Sequence, residues 1–280
     1  ALASAFEQQR VAFVSLNIQA GVGTVLVVDY IQTLPSELHY LWTAPWSPIK
    51  VLYILARYSA FISAAIIIRF TGSEGQGFSL ETCRGYFYAG CMSILVTVAF
   101  SEALLFIRVY ALSGRSKVTL AWLIVQFILV HGAQFTLMGV AITGVEFTVL
   151  PDPLGTVFGC ASTSTADFGV ILSILFATFV FSGVVLTALT AWFGFRKFRH
   201  SQATNLVTVF FRDGLIYFAL ITGTAIANIV VSVSGVDSSN FIMGESQGVF
   251  HSILACRLVL HLRETGNKSL IESENRPRPV

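Results

Sequence analysis

The stretch Cys83–Lys117, CRGYFYAGCMSILVTVAFSEALLFIRVYALSGRSK, decides the fold. Between Tyr86 and Leu112 it is long and apolar enough for a membrane helix, since about 20 residues at 1.5 Å rise cross a hydrocarbon core. Cys83 opens the stretch, a single carboxylate (Glu102) lies deep inside it, and Arg108-Val109-Tyr110 closes it just before Arg115 and Lys117. Lys and Arg gather on the cytoplasmic side of membrane proteins, so the basic end also sets the direction of the span.

The remainder of the chain has the same character. Hydrophobic residues make up 55% of it, charged residues 11%, and the mean hydropathy is +0.75, whereas soluble domains carry about 25% charged residues. The net charge of +2 does not indicate nucleic acid as a partner, because the Lys and Arg lie at segment ends and not on one face. Seven apolar stretches are long enough to span: Val11–Tyr30, Ile49–Arg69, Tyr86–Leu112, Thr119–Thr143, Phe168–Phe195, Leu206–Ser234 and Gly244–Leu262. All seven prolines (35, 45, 48, 151, 153, 277 and 279) are expected in connections or in the tail, since a proline inside a span would kink it. The connection after the third stretch carries Arg115 and Lys117, that after the fifth carries Arg196, Lys197 and Arg199, and the tail carries Arg263, Lys268, Arg276 and Arg278. The connections around Val145–Asp167 and Gly235–Gly244 hold acids but no Lys or Arg.

These patterns predict an all-α integral membrane protein, a seven-transmembrane helix bundle over residues 1–264 with its N-terminus outside and its C-terminus cytoplasmic. Residues 265–280 would form a short polar cytoplasmic tail. The lipid bilayer is the first expected partner, in the plasma membrane or another membrane of the secretory pathway. The chain opens Ala1-Leu2-Ala3 without Met, which reads as a removed leader or initiator. The first connection places Leu34, Leu38, Leu41 and Trp42 on one face of a short helix, with Trp46 close behind, the pattern of a segment lying in the membrane interface.

Four cysteines are present. Cys83 and Cys160 fall on the outer, oxidising side, where a disulfide persists; a bridge or two free thiols both fit, and the bridge would hold the long outer loop over the bundle mouth. Cys91 and Cys256 lie within spans as small packing residues. Counting residues in from the basic ends places Arg57, Glu102, Asp213 and Arg257 in one layer, roughly 8–12 Å deep. Charges in a bilayer need partners, so the four form either a structural latch or a switch whose pairing changes with ligand. His131 and His251 share a depth near mid-membrane; two such histidines are haem ligands or, as expected here, hydrogen-bonded interior groups. No metal or other cofactor is expected. The four lysines (50, 117, 197 and 268) sit at span ends or in connections, which removes a buried retinal Schiff base. No H-E-x-x-H, P-loop or G-x-S-x-G occurs.

Several motifs carry a resemblance. I-R-V-Y-A-L-S-G-R, D-Y-I-Q-T-L-P-S-E-L before W-T-A-P-W-S-P-I-K-V-L-Y-I-L-A-R-Y, F-R-D-G-L-I-Y-F and the closing R-L-V-L-H-L-R resemble a family of seven-transmembrane proteins of unknown function in mushroom-forming fungi. That resemblance implies a seven-helix membrane bundle and carries no activity with it. The topology, Cys83 at the outer end of the third span, and Arg108 and Tyr110 at its cytoplasmic end also resemble G-protein-coupled receptors. The chain departs from them in having no N-P-x-x-Y in the seventh span, no Pro in the fifth to seventh, and no acid directly before Arg108.

The function expected from the sequence is that of a receptor-like protein that binds or senses a small hydrophobic or amphiphilic ligand. Tyr86, Phe87 and Tyr88 would either line the pocket or form part of a lipid-facing aromatic belt, and a cytoplasmic signalling partner would act at the basic end. The alternatives are an intramembrane enzyme acting on an isoprenoid or lipid, with Glu102 or Asp213 as proton donor in the manner of fungal terpene cyclases, and a small-molecule transporter. Arginines at the same depth would lower the pKa of either acid and count against the enzyme. The absence of Pro within the spans and of an inverted repeat counts against the transporter. Asn17, Gln19, Gln126, Gln134 and Asn228 look scattered and do not form the polar stripe a channel would need.

Overall fold

The computed structural model describes the backbone of residues 2–71, 79–148, 161–164, 166–200, 205–233 and 242–274, and the side chains of residues 14, 16–70, 79–147, 168–196, 214, 216–233 and 244–267. Each of the seven apolar stretches is a helix: α1 Leu2–Glu37, α2 Pro48–Thr71, α3 Leu80–Leu112, α4 Lys117–Thr143, α5 Ala166–His200, α6 Asn205–Val233 and α7 Ile242–Glu274. Five of them, α2 to α6, are long and apolar enough to cross a membrane. The chain is therefore a multi-pass integral membrane protein. α7 is long but polar along much of its length, with Glu245, Gln247, His251 and Ser252 all buried. It is shielded by α1, α2, α3 and α6, which pack around it. It continues through Glu274, so the helix runs on into the stretch expected to be a tail.

Local chemistry sets the helix ends. Ser79 and Ser116 precede α3 and α4 and accept from the backbone N–H of Thr82 and Thr119, satisfying donors that have no partner within the helix. Pro48 is the first residue of α2, where a missing N–H costs nothing. Between α3 and α4, Gly114 and Arg115 take positive φ angles of 75° and 60°, which reverse the chain within a few residues.

Two features depart from the sequence pattern. Pro35 lies inside α1, in its final turn, and the chain then widens into a π-helical turn, Leu38–Trp42. A proline removes one i→i−4 bond, and here cations take up carbonyls of the turn beyond it. Lys50 Nζ donates to Trp42 O at 3.2 Å and Ala44 O at 2.8 Å, and Arg263 donates to Tyr40 O at 2.8 Å. Leu41 of this turn is fully buried, while Leu38, Trp42 and Trp46 stay exposed. The turn is thus docked into the bundle on one side and bare on the other. The second departure is a short antiparallel ribbon, β1 (Val145–Thr148) with β2 (Ala161–Ser164), in register from Val145 opposite Ser164 to Thr148 opposite Ala161. The all-α expectation missed it because four residues are too few to show alternation.

The ribbon marks one end of the bundle, and the α3–α4 turn with Arg115 and Lys117 marks the other, basic end. Apolar side chains form one cluster toward each. Near the ribbon, Phe87, Leu95, Met138, Phe147, Phe168 and Phe176 pack together; near the basic end, Leu41, Tyr53, Leu105, Val109, Phe218 and Leu258 do the same. Between neighbouring helices the backbones come close at small residues. A Cβ added to Gly183 on α5 would collide with the Thr222 hydroxyl on α6, and one on Gly248 of α7 would come within 3.2 Å of Ile94 on α3. Small residues at crossings permit this approach in membrane bundles, where packing and not water exclusion drives association.

Candidate functional site

Two buried polar centres interrupt the apolar interior. The first joins α1, α2 and α7 toward the basic end. Asp29 and Glu37 on α1 are almost fully buried, as is Arg57 on α2. Arg57 donates through Nη1 to Asp29 Oδ2 at 3.0 Å, and its Nε lies 2.9 Å from Glu37 Oε2. Its other amine donates to the Thr33 hydroxyl, and its guanidinium lies over the Tyr30 ring at 5.1 Å. Glu37 accepts from the Tyr53 hydroxyl at 3.1 Å, the Tyr58 hydroxyl at 3.3 Å and the Trp42 indole at 3.2 Å. Arg257 on α7 completes the centre, donating to Asp29 Oδ1 at 2.5 Å and to Gln32 Oε1 at 2.9 Å. Two acids face two arginines, and each carboxylate has several donors. An ion pair in low dielectric is tolerated when its remaining hydrogen-bonding capacity is filled in this way. The arrangement suits a fixed tie between helices.

The second centre lies deeper, among α3, α4 and α5. The Ser182 hydroxyl donates to Glu102 Oε2 at 3.1 Å, and His131 Nε2 is 3.4 Å from the same oxygen. His131 Nδ1 faces Gln134 Oε1 at 2.8 Å, and Gln134 Nε2 donates to Thr178 Oγ1 at 3.1 Å. The Phe127 ring stands edge-on to His131 with centroids 4.2 Å apart. On α7, His251 stands edge-on to the Phe179 ring of α5, with centroids 5.9 Å apart. Its Nε2 is 2.9 Å from Gln247 Nε2, and Asn228 on α6 donates to Gln247 Oε1 at 2.9 Å. Together these groups form a polar belt across the bundle, contributed by α3 to α7.

The four charges expected in one layer therefore do not meet as one. Arg57 and Arg257 come together, but on Asp29 of α1; Glu102 faces His131 and Ser182, with no arginine among its partners in the described residues. Counting residues from the basic ends gave one common depth for these charges and could not show the direction in which each faces. The side chain of Asp213 lies outside the described residues. Its neighbour Gly214 packs against the buried Arg108 guanidinium, whose Nη1 and Nη2 would be 2.9 Å from an added Cβ. Arg108 thus links the basic end of α3 to α6, and Tyr110 packs partly buried into the apolar cluster at that end. His131 and His251 are both buried and hydrogen-bonded to glutamines. Cys91 and Cys256 are free thiols, Cys83 is buried in the apolar cluster near the ribbon, and Cys160 lies outside the described residues. Among the described residues no group of three or more His, Cys, Asp or Glu has the geometry to hold a metal ion.

Just on the ribbon side of the belt is a cavity of about 40 Å³ among α3, α4, α5 and α7. Leu95, Met138, Leu172, Phe176 and Phe179 line it, with Gln247 as its polar wall. Tyr86, Phe87 and Tyr88 do not: Phe87 is packed against Phe70 and Phe147, and Tyr88 is exposed. About 40 Å³ holds on the order of two or three waters, or a group of a few heavy atoms. Asp29, Glu37, Gln247 and Ser182 were missed from sequence. The first two were in view, inside the quoted D-Y-I-Q-T-L-P-S-E-L, as acids close to apolar stretches.

A family model described as a family of unknown function (DUF6533) matches residues 18–62. That span covers the second half of α1, the π turn and the first half of α2, and so contains Asp29, Glu37, Tyr53, Arg57 and Tyr58 of the first centre. No curated protein matches the chain.

Proposed function

We propose that the protein is a seven-transmembrane, receptor-like membrane protein that takes a small hydrophobic or amphiphilic ligand into the cavity between α3, α4, α5 and α7. The N-terminus would lie outside and the basic end would face the cytoplasm, where Arg108, the α3–α4 turn with Arg115, and the last turn of α5 with Arg196, Lys197 and Arg199, expected from sequence in a connection, would meet a signalling partner. The observation that carries this reading is the cavity wall. It is apolar except at Gln247, and Gln247 is also bonded to Asn228 and His251. A ligand that engaged or displaced the Gln247 amide would therefore disturb the polar belt and the packing of α6 and α7. The resemblance to fungal seven-transmembrane proteins fits this arrangement. A disulfide between Cys83 and Cys160 is part of the proposal, supported by Cys83 packing in one cluster with Val145 and Phe147 of β1, whose partner strand starts at Ala161, while Cys91 and Cys256 are free thiols. Non-reducing peptide mass spectrometry should recover the Cys83–Cys160 crosslinked peptide; a free Cys83 thiol would remove the bridge.

Filling the cavity tests the ligand reading. Gly244 lines it, and an added Cβ there would make only ordinary contact, 3.9 Å from Ile94. Gly244→Ile is expected to abolish saturable binding of radiolabelled butanol, a probe of the few heavy atoms the cavity holds, to the purified protein in nanodiscs, with an unchanged or slightly raised melting temperature. Unchanged saturable binding would sink the cavity as the site.

One observation favours a second reading. Glu102 has no arginine beside it among the described residues, so the objection that an ion pair would spoil it as an acid does not apply at this position. An intramembrane enzyme using Glu102 as proton donor to an isoprenoid would show turnover that Glu102→Gln abolishes.

A further inference from the structure

The hydrogen bonds around His131 fix where its proton lies. The Thr178 hydroxyl sits 2.7 Å from Leu175 O, and with its proton directed there its oxygen accepts from Gln134. Gln134 must then present Nε2 to Thr178 and Oε1 to His131, and His131 must carry its proton on Nδ1 to donate at 2.8 Å. A neutral His131 consequently turns a bare Nε2 lone pair toward Glu102 Oε2, 3.4 Å away. That gap is too narrow for a water. An ionised Glu102 opposite a neutral His131 would leave two acceptors facing each other in a site from which solvent is excluded, His131 being 5% and Glu102 2% exposed. Unpaired groups of that kind are strongly disfavoured in the interior.

We propose that Glu102 and His131 hold one proton between them, so that the pair is a proton-binding site at the centre of the bundle. The proton resides either on the carboxyl or on Nε2 as an imidazolium at ion-pair distance, 3.4 Å, from the carboxylate; Nε2 has no hydrogen-bond partner among the described residues, and either placement removes the opposition of two bare acceptors. The groups facing the pair are consistent with this. α5 contributes the Ser182 and Thr178 hydroxyls, and α7 contributes His251, held through Gln247 by Asn228 of α6. The ionisable groups of α2 (Tyr53, Arg57 and Tyr58) are engaged with Glu37 and Asp29 of α1. His251 in turn accepts from Gln247 at Nε2, which places its own proton on Nδ1, an atom without a partner among the described residues. The two polar centres therefore differ in kind. The first is neutralised by guanidinium groups, which do not lose their protons; the second is neutralised by a proton that can leave. The site does not depend on the ligand reading.

Solid-state NMR of the full chain in lipid bilayers with ¹⁵N-labelled histidine tests it, the His131 signals being assigned through contact with ¹³C-labelled Phe127. The expected spectrum at neutral pH has Nδ1 protonated and Nε2 either protonated or shifted by a shared proton. A bare, pyridine-type Nε2 would overturn the proposal. Glu102→Gln is the second arm, because its amide can accept from Ser182 and donate to His131 as the proton-loaded pair does. At neutral pH the variant and the wild type should carry the same net charge by electrophoresis in nanodiscs, because the loaded pair is already neutral. A wild type one unit more negative than the variant would overturn the proposal as well.

Discussion

Asp29→Ala is expected to lower the unfolding free energy by about 3–5 kcal/mol, the cost of breaking a buried ion pair from one side. Asp29 is the group that both arginines share, receiving Arg57 at Oδ2 and Arg257 at Oδ1. Its loss leaves Arg57, 2% exposed, with Glu37 as its remaining ionic partner among the described residues. Arg257→Ala should cost far less, about 0–1 kcal/mol, because Arg257 is 41% exposed and water screens its bond to Asp29. Thermal and SDS unfolding in mixed micelles should therefore rank Asp29→Ala well below Arg257→Ala. Equal effects would mean that the centre is held mainly through α7 and not by the pairing of α1 with α2. Because the first centre is neutralised by fixed guanidinium charge and the second by a mobile proton, Asp29→Ala should act chiefly on stability.

The second large effect is steric. Gly183→Ala is expected to destabilise the α5–α6 contact by about 1–3 kcal/mol, in the range of overpacked cores, since the new methyl would meet the Thr222 hydroxyl. That hydroxyl oxygen has no hydrogen-bond partner among the described residues, so removing it carries little polar cost. Gly183→Ala combined with Thr222→Ala should then recover most of the loss, giving a strongly non-additive pair in a double-mutant cycle. Additive losses would place the damage elsewhere on α5.

The helices were legible because each is announced by an apolar run longer than any soluble core element requires, and for α2 to α6 the ends fall close to where those runs stop, whereas α1 and α7 run on to Glu37 and Glu274. The same uniformity hid the site. A helix apolar on every side gives no periodic stripe from which to read which face turns inward, so Arg57, Glu102 and Arg257 could be assigned to one layer but not aimed. Asp29 closed an apolar stretch one residue before Tyr30 and was read as a boundary, although α1 continues to Glu37 and makes both acids interior. Pro35 reinforced that error, since a proline normally argues for a connection and here sits in a final turn. Gln134 and Asn228 looked scattered along the chain, yet folding brings them to His131 and, through Gln247, to His251. Convergence of that kind depends on helix order in space, which single spans do not encode.

The central claim is that a ligand enters the bundle beside the polar belt, and photolabelling tests it most directly. A diazirine-tagged butanol, crosslinked to the protein in nanodiscs and mapped by peptide mass spectrometry, is expected to label residues facing the cavity, Leu172, Phe176 or Met138, in competition with untagged butanol. Labelling confined to lipid-facing positions such as Val170, Ile174 and Phe181, with no competition, would contradict the account.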